Sequence, residues 1–302
     1  MLKSPLVNKF LTLKSTAEKH CRSPDFVVFL PIRMRHRFAI AILLVSLAFG
    51  SCSDYNKIYK SSNPNMKYSL AMELYEEKDY GKALPLLEQL RDYYKNTDSM
   101  ELIYYRTAYA YYGMKDYSYA SMFFKDFTES FTRSPRSIEC AYMALYCDVL
   151  EVDDYDLDQS QTLNIIGALQ TFANYYPNSE YVTKVNEHID DLRNRLQQKE
   201  YEWVIQYYRM EQFKAAVYAA RNAIKQYPDI PQKEELEFLA IKAQYQYASG
   251  SVEIKRLERL EEAKLAWDDY YYANGNTGEH YQEALSLSQR IQSDIQQLKS
   301  IL

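Results

Sequence analysis

The stretch from Met100 to Pro135 reads MELIYYRTAYAYYGMKDYSYASMFFKDFTESFTRSP and decides the fold. Its apolar residues recur every three or four positions. That is a helical period, not the alternation of a strand. The pattern breaks at Gly113-Met114-Lys115-Asp116 and resumes through Phe127. The spacing predicts two helices joined by a short turn.

Ala108, Tyr111, Tyr117, Ala120, Phe124 and Phe127 in this stretch fall at the offsets of a tetratricopeptide (TPR) repeat. In that pattern small residues let paired helices approach, and larger ones fill the space between repeats. A register shift of about 37 residues toward the N-terminus puts Ala71, Leu74, Tyr80, Ala83, Leu87 and Leu90 at the same offsets. Further along, Tyr207, Phe213, Ala216, Ala220, Ala223 and Pro228 occupy them again. A recurrence of this kind predicts an all-α, TPR-like α-solenoid of about five helical hairpins plus a C-terminal capping helix.

Composition agrees. The 302 residues include 7 Gly and 9 Pro, few breakers for the length, and 31 Tyr. Tyrosine joins an apolar ring to a wet hydroxyl, so it suits packing between repeats and a peptide-binding groove alike. The net charge is −5. No basic patch interleaved with aromatics is present, so nucleic acid is not expected as a partner.

Met34 to Cys52 reads MRHRFAIAILLVSLAFGSC. Arg35 and Arg37 precede an apolar run from Phe38 to Phe49, too short to span a bilayer and suited to a signal segment. Gly50-Ser51-Cys52 ends it and resembles a bacterial lipobox, with Phe49 where that motif prefers Leu. Residues 34–51 are expected to be a lipoprotein signal peptide, and 1–33 a misassigned upstream extension. Cys52 is the expected lipidation site, carrying diacylglycerol on its thiol and a further acyl chain on its amine. Several chains anchor stably where one does not. Ser53 in place of Asp favours the outer membrane, with the protein facing the periplasm. Residues 52–64 read as a polar tether and 65–302 as the solenoid domain.

Hairpins are expected from Asn65 to Lys95, Met100 to Pro135, Ile138 to Tyr176, Tyr181 to Pro228 and Lys233 to Ala273. The helix from Tyr181 to Tyr208 has no Gly or Pro, and His280 to Leu302 is expected to cap the stack. Glu151 to Gln159, EVDDYDLDQ, interrupts the third hairpin as a solvated acidic loop. It lacks the glycine and terminal glutamate of a calcium loop. Cys140 and Cys147, two helical turns apart, cannot pair and read as small buried hydrophobes. The four histidines are scattered, and His188 reads as a packing residue. No HExxH, GxSxG, P-loop or CxxC is present, so the chain reads as a non-enzyme without cofactor or metal.

The order of parts resembles the BamD family, the TPR lipoproteins of the β-barrel assembly machinery. The third hairpin carries Asp158-Gln159, Phe172 and Tyr176-Pro177-Asn178-Ser179-Glu180-Tyr181. The fourth carries Tyr207-Tyr208, Ala215-Ala216-Val217 and Tyr227-Pro228-Asp229. The resemblance covers about Pro64 to Pro231. The longer, Gln-rich C-terminus departs from it. It implies a non-enzymatic scaffold that binds the POTRA domain of a BamA-type insertase and unfolded outer-membrane proteins, alongside other lipoproteins of the complex. The alternative is a TPR lipoprotein of the cell envelope with a peptidoglycan or glycan role. Aligned on Ala83, Ala120 and Ala216, one slot of the first helices carries Tyr68, Tyr105 and Tyr201. The slot seven residues on carries Tyr75, Tyr112 and Tyr208. Tyr68, Tyr75, Tyr105 and Tyr112 are expected to contact substrate peptides, and Tyr201 and Tyr208 to face the insertase.

Overall fold

The structure is a computed structural model that describes residues 52–301. The expected extension (1–33) and signal peptide (34–51) lie outside the described residues. Among those described there are twelve α-helices and no strand. The first, α1 (Cys52–Lys60), occupies most of the stretch read as a tether. It carries a Lys57–Asp54 ion pair at 3.1 Å and stacked Tyr55 and Tyr59 rings.

The repeats follow as five hairpins: α2 (Pro64–Glu76) with α3 (Tyr80–Tyr93), α4 (Ser99–Gly113) with α5 (Tyr117–Ser130), α6 (Ser137–Leu150) with α7 (Ser160–Tyr175), α8 (Val182–Arg209) with α9 (Phe213–Gln226), and α10 (Lys233–Ser249) with α11 (Glu253–Asn274). The cap is α12 (Tyr281–Ile301), packed on α11 and α10. The 28-residue α8 packs against both α7 and α9, so one uninterrupted helix serves two hairpins.

The turns repeat as strictly as the helices. After α2 the amide of Lys78 donates to Tyr75 O at 3.0 Å and that of Asp79 to Leu74 O at 2.9 Å. Lys115 and Asp116 do the same after α4, and Glu211 and Gln212 after α8. This is a Schellman motif, which satisfies the last carbonyls of a helix with a left-handed residue just beyond it. Lys78, Lys115 and Glu211 have φ of 63°, 63° and 58°. Each departure from glycine there costs about 1–2 kcal/mol, which packing of the hairpin offsets.

The junctions between hairpins repeat too. Tyr94, Phe131, Tyr176 and Tyr227 each donate their amide to the residue four back. In every case the residue three further on donates to that aromatic's carbonyl, and the next third residue continues the ladder. In the first four hairpins an aromatic therefore closes the second helix and turns the chain into the next first helix.

The small slots are filled as the pattern requires. Ala83 and Ala120 are fully buried and Ala216 is 1 % exposed. Phe124, Phe127, Leu87 and Leu90 are fully buried beside them, each contributing about 1.5–3 kcal/mol. One apolar cluster runs from Ala108 to Ala240, and a second joins α10, α11 and α12 from Phe238 to Ile295. Cys140 and Cys147 are free and buried, and burial pushes both thiols up to about 12.

At the cap, Gly278 permits a close approach. A Cβ there would stand 2.5 Å from Tyr270 Oη and 2.8 Å from Glu234 Oε1. Glu234 accepts from Tyr270 and from the backbone and ring of His280. Burial alone would neutralise both partners. Their mutual bonds outweigh it, holding the carboxyl below its ordinary value of 4.5 and the imidazole above 6.5. The carboxylate's contribution is present above 4.5 and lost as pH falls. The imidazolium's is present below 6.5 and lost as pH rises through its folded value. The cap should be most stable between those limits. Glu234→Gln should flatten the dependence of thermal stability on pH in that window.

Replacing Ala120 with Leu overfills a closed slot and should cost about 1–3 kcal/mol in urea unfolding. An unchanged midpoint would show that the two helices do not meet there.

Candidate functional site

The six tyrosines expected to form a groove stand on α2 (Tyr68, Tyr75), α4 (Tyr105, Tyr112) and the second half of α8 (Tyr201, Tyr208). All six are half-buried. Tyr68 packs on the junction residue Tyr94 at 5.6 Å between ring centres. Tyr75 packs edge-on to Tyr80, and Tyr208 edge-on to Phe213.

Three of them lie under a cation supplied from further along the chain. The Arg106 guanidinium of α4 is 4.9 Å from the centre of the Tyr75 ring. Arg136, just ahead of α6, is 5.1 Å from Tyr105, and Lys242 of α10 is 5.6 Å from Tyr208. Each such contact contributes about 0.5–2 kcal/mol depending on desolvation.

Two of the hydroxyls bridge successive first helices. Tyr105 Oη donates to Glu139 Oε1 on α6 at 2.8 Å, and Tyr109 donates to the same oxygen. Tyr201 Oη donates to Glu235 Oε1 on α10 at 3.0 Å. Both glutamates lie 34 residues beyond their tyrosine. Burial, then the bond to Glu139, pushes the Tyr105 and Tyr109 phenols far above the ordinary value of 10. Burial raises Tyr75 to about 12, and burial with the Glu235 bond raises Tyr201 to about 12. Burial also raises Tyr112 and Tyr208.

A chain of ring contacts crosses three of these helices. Tyr105, Tyr109 and Tyr112 touch in sequence on α4, and Tyr112 reaches Tyr146 of α6 at 6.3 Å. Tyr146 stacks on His188 of α8 at 5.1 Å. Tyr142 stacks on Tyr181 at 4.6 Å, and its hydroxyl lies 3.3 Å from His188 Nε2. Burial lowers the His188 pKa, favouring the neutral imidazole. Tyr109, Tyr142, Tyr146 and Tyr181 escape a search limited to two slots per helix. Glu139 and Glu235 were legible only as a repeated offset from tyrosine to glutamate.

The two halves of the face differ. Tyr105 and Tyr109 also pack on Phe127 and Phe124 of α5, so they belong partly to the core. Tyr208 instead borders a cavity of about 390 Å³ between α10 and α12, with Phe238, Lys242, Tyr245 and Arg290. Near Tyr75, Arg106 pairs with Glu76 at 2.9 Å through Nη2, while its buried Nη1 has no acceptor among the described residues.

Among the described residues, no group of three or more His, Cys, Asp or Glu could hold a metal ion. No helix there is long and apolar enough to cross a membrane.

The bridge between helices can be measured. A double-mutant cycle of Tyr105→Phe and Glu139→Gln should give a coupling of about 0.5–1.5 kcal/mol in urea unfolding. Because the folded state favours neutral phenols, their contribution is complete below pH 10 and is lost as pH rises through the folded values. Tyrosinate absorbance of the folded chain should therefore lag that of the unfolded chain above pH 10. Superimposable titrations would contradict the burial.

Residues 60–260 match the family described as YfiO, outer membrane lipoprotein. The chain is 24 % identical over 216 residues to the outer membrane protein assembly factor BamD of Haemophilus influenzae, covering 68 % of this chain and 82 % of that protein. It is 22 % identical over 170 residues to BamD of Caulobacter vibrioides, covering 55 % of this chain and 56 % of that one. The match spans the hairpins from α2 through α10 and reaches into α11. The chain belongs to the YfiO, or BamD, family of outer membrane lipoproteins.

Proposed function

We propose that this chain is a non-enzymatic scaffold of outer-membrane protein assembly, anchored by lipid at Cys52 and facing the periplasm. It holds unfolded barrel polypeptides along the tyrosine face of α2 and α4 and docks a BamA-type insertase, through a POTRA domain, near Tyr201 and Tyr208. Other lipoproteins of the assembly complex bind elsewhere on the stack. The observation that carries this reading is the continuous run of rings from Tyr105 to His188 across successive first helices. Rings with polar edges grip extended segments of varied sequence at small entropic cost, because each has only two side-chain torsions. The names of the relatives support the assembly role.

The test is Tyr105→Ala combined with Tyr112→Ala, assayed by circular dichroism for fold and by titration with a peptide from a barrel's C-terminal strand. Binding should weaken at least about tenfold, the effect of losing ~1.4 kcal/mol. Tyr105→Phe keeps the ring and should bind nearly as well. Unchanged affinity in the folded double variant would return these tyrosines to a purely structural role. For anchoring, Cys52→Ser should fold normally and move from the membrane to the soluble periplasmic fraction. Retention in the membrane would mean that something other than lipid holds the chain.

A further inference from the structure

Two side-chain bridges tie α10 to α12 and the residue ahead of it, and a recess of about 390 Å³ lies between them. At one end the ring of His280, just before α12, stacks on Phe238 at 4.9 Å. Its Nδ1 also bonds to Glu234 Oε2 at 2.6 Å. At the other end Tyr245 Oη of α10 donates to Asp294 Oδ2 of α12 at 3.1 Å. Residue numbers rise together from the first bridge to the second on both helices, so α10 and α12 run parallel here. The recess is therefore a trough along the two helices, bounded at each end by a bridge.

The charges of the trough are ordered along its length. Glu283 and Arg290 of α12 both line it, seven residues apart. Two helical turns place them about 10 Å apart along the axis, on one face. Glu283 lies toward the His280 end and Arg290 toward the Tyr245 end. Lys242 of α10 stands between, its ammonium 5.6 Å from the centre of the Tyr208 ring and 5.1 Å from that of Phe238. None of the three forms an ion pair among the described residues. Asp294, beyond Arg290, is already engaged by Tyr245 and by Arg256 at 4.0 Å. Glu283 and Arg290 are exposed, so both meet whatever enters. Gln246 and Ser286 add uncharged donors and acceptors, and Leu287 joins Tyr208 and Phe238 as an apolar wall.

We propose that this trough binds a short peptide with free ends, its ammonium at Glu283 and its carboxylate at Arg290. An extended chain advances about 3.3–3.6 Å per residue, so the distance between the two charges fits about three residues. A ligand of one sign would meet a like charge at one end, whereas a zwitterion is matched at both and in one direction only. Lys242, Gln246 and Ser286, between the ends, supply partners for the peptide's backbone groups. Tyr208, Phe238 and Leu287 receive one apolar side chain, the usual division of labour in a ligand recess. The bridges at His280 and Tyr245 stand where a longer chain would have to continue, which favours a free peptide over an internal segment. The trough shares Tyr208 with the face proposed for the insertase, but neither Glu283 nor Arg290 has a part in that reading.

The experiment titrates the tripeptide Ala-Phe-Ala into the full chain by isothermal calorimetry. Its N-acetylated form lacks the ammonium, and its C-terminal amide lacks the carboxylate. The free tripeptide should bind at least about tenfold more tightly than either blocked form. Glu283→Gln should weaken the free peptide about tenfold and leave the acetylated form unchanged. Arg290→Gln should weaken the free peptide about as much and leave the amide unchanged. Both side chains are exposed, so circular dichroism should stay the same. Absence of binding, equal binding of the blocked forms, or full binding to either variant would overturn the site. So would equal binding of a nine-residue peptide with blocked ends and Ala-Phe-Ala at its centre, because that chain would have to run past the bridges. Any of these failures leaves the assembly reading standing, since that reading is tested at Tyr105, Tyr112 and Cys52.

Discussion

Between the helices of a hairpin there is room for a methyl group and no more. Ala83, Ala120 and Ala216 are buried to 1 % exposure or less, with Leu87, Leu90, Phe124 and Phe127 fully buried on the same helices as the first two. A single hairpin covers only one of its apolar faces in this way. The other face, lined by residues such as Phe127 and Leu90, must be covered by the next hairpin, so the chain is stable only as a stack. The Schellman turns and the aromatic junctions both serve that stacking. The first fixes how two helices of a hairpin cross. The second fixes where the next hairpin begins. Recurrence of one hydrogen-bond pattern at Lys78, Lys115 and Glu211, and of another at Tyr94, Phe131, Tyr176 and Tyr227, shows that backbone geometry repeats where the side chains have diverged.

Most of this was legible in the sequence because the signal is local. Small residues at fixed offsets, breaks near Gly113 and Pro228, and the uninterrupted α8 can all be read without knowing what touches what. The turn between α4 and α5 shows the limit of such reading. Gly113 attracts attention as a breaker, yet it is the last helical residue and the left-handed position belongs to Lys115. The glycine matters for a distant reason: a Cβ there would lie 2.2 Å from the Tyr80 ring of the preceding hairpin. Contacts between hairpins depend on the rise of the stack, which no local pattern encodes. For the same reason the tyrosine slots stand out in the sequence, while their partners Glu139 and Glu235 show there only as a shared offset of 34 residues. The acidic loop reads as a solvated interruption, and its carboxylates are solvated. Its backbone is held by the buried Gln159, whose side-chain amide donates to Asp154 O at 2.9 Å and Leu157 O at 3.2 Å, and glutamine is a residue type with no strong signature for burial.

On the tyrosine face the side chains that would meet a ligand in the proposed function also join the repeats. A buried phenol needs a hydrogen-bond acceptor or it costs stability. Glu139 and Glu235 supply one between consecutive first helices, and Arg106, Arg136 and Lys242 cover ring faces. The stack is thereby held together by polar contacts on the face where a ligand would lie, in addition to the apolar core behind it. Rings fixed this way are pre-organised, so a binding partner meets a surface that has already lost its rotamer freedom. The cost is reach. A hydroxyl committed to a glutamate has less to offer a peptide backbone, and the rings of Tyr105 and Tyr112 are left to act chiefly through their faces.

That division separates the two ends of the stack. Around α4 the rings fill the space between helices and bond to the neighbouring repeat, which favours a shallow aromatic surface tolerant of many sequences. Around α10 and α12 the face opens into the cavity beside Tyr208, where Lys242 and Arg290 line the wall. A cavity that sets two cations beside Glu283 discriminates among ligands more sharply than a flat row of rings, because a charge that enters it must be matched or left desolvated. The recess between the acidic loop and α8 carries both signs, with Lys199 and Arg209 beside Asp156 and Glu202. One solenoid therefore presents an aromatic face and two recesses that differ in their charged lining. A single chain can engage several partners at once when their chemistries differ in this way, because no partner competes for another's surface.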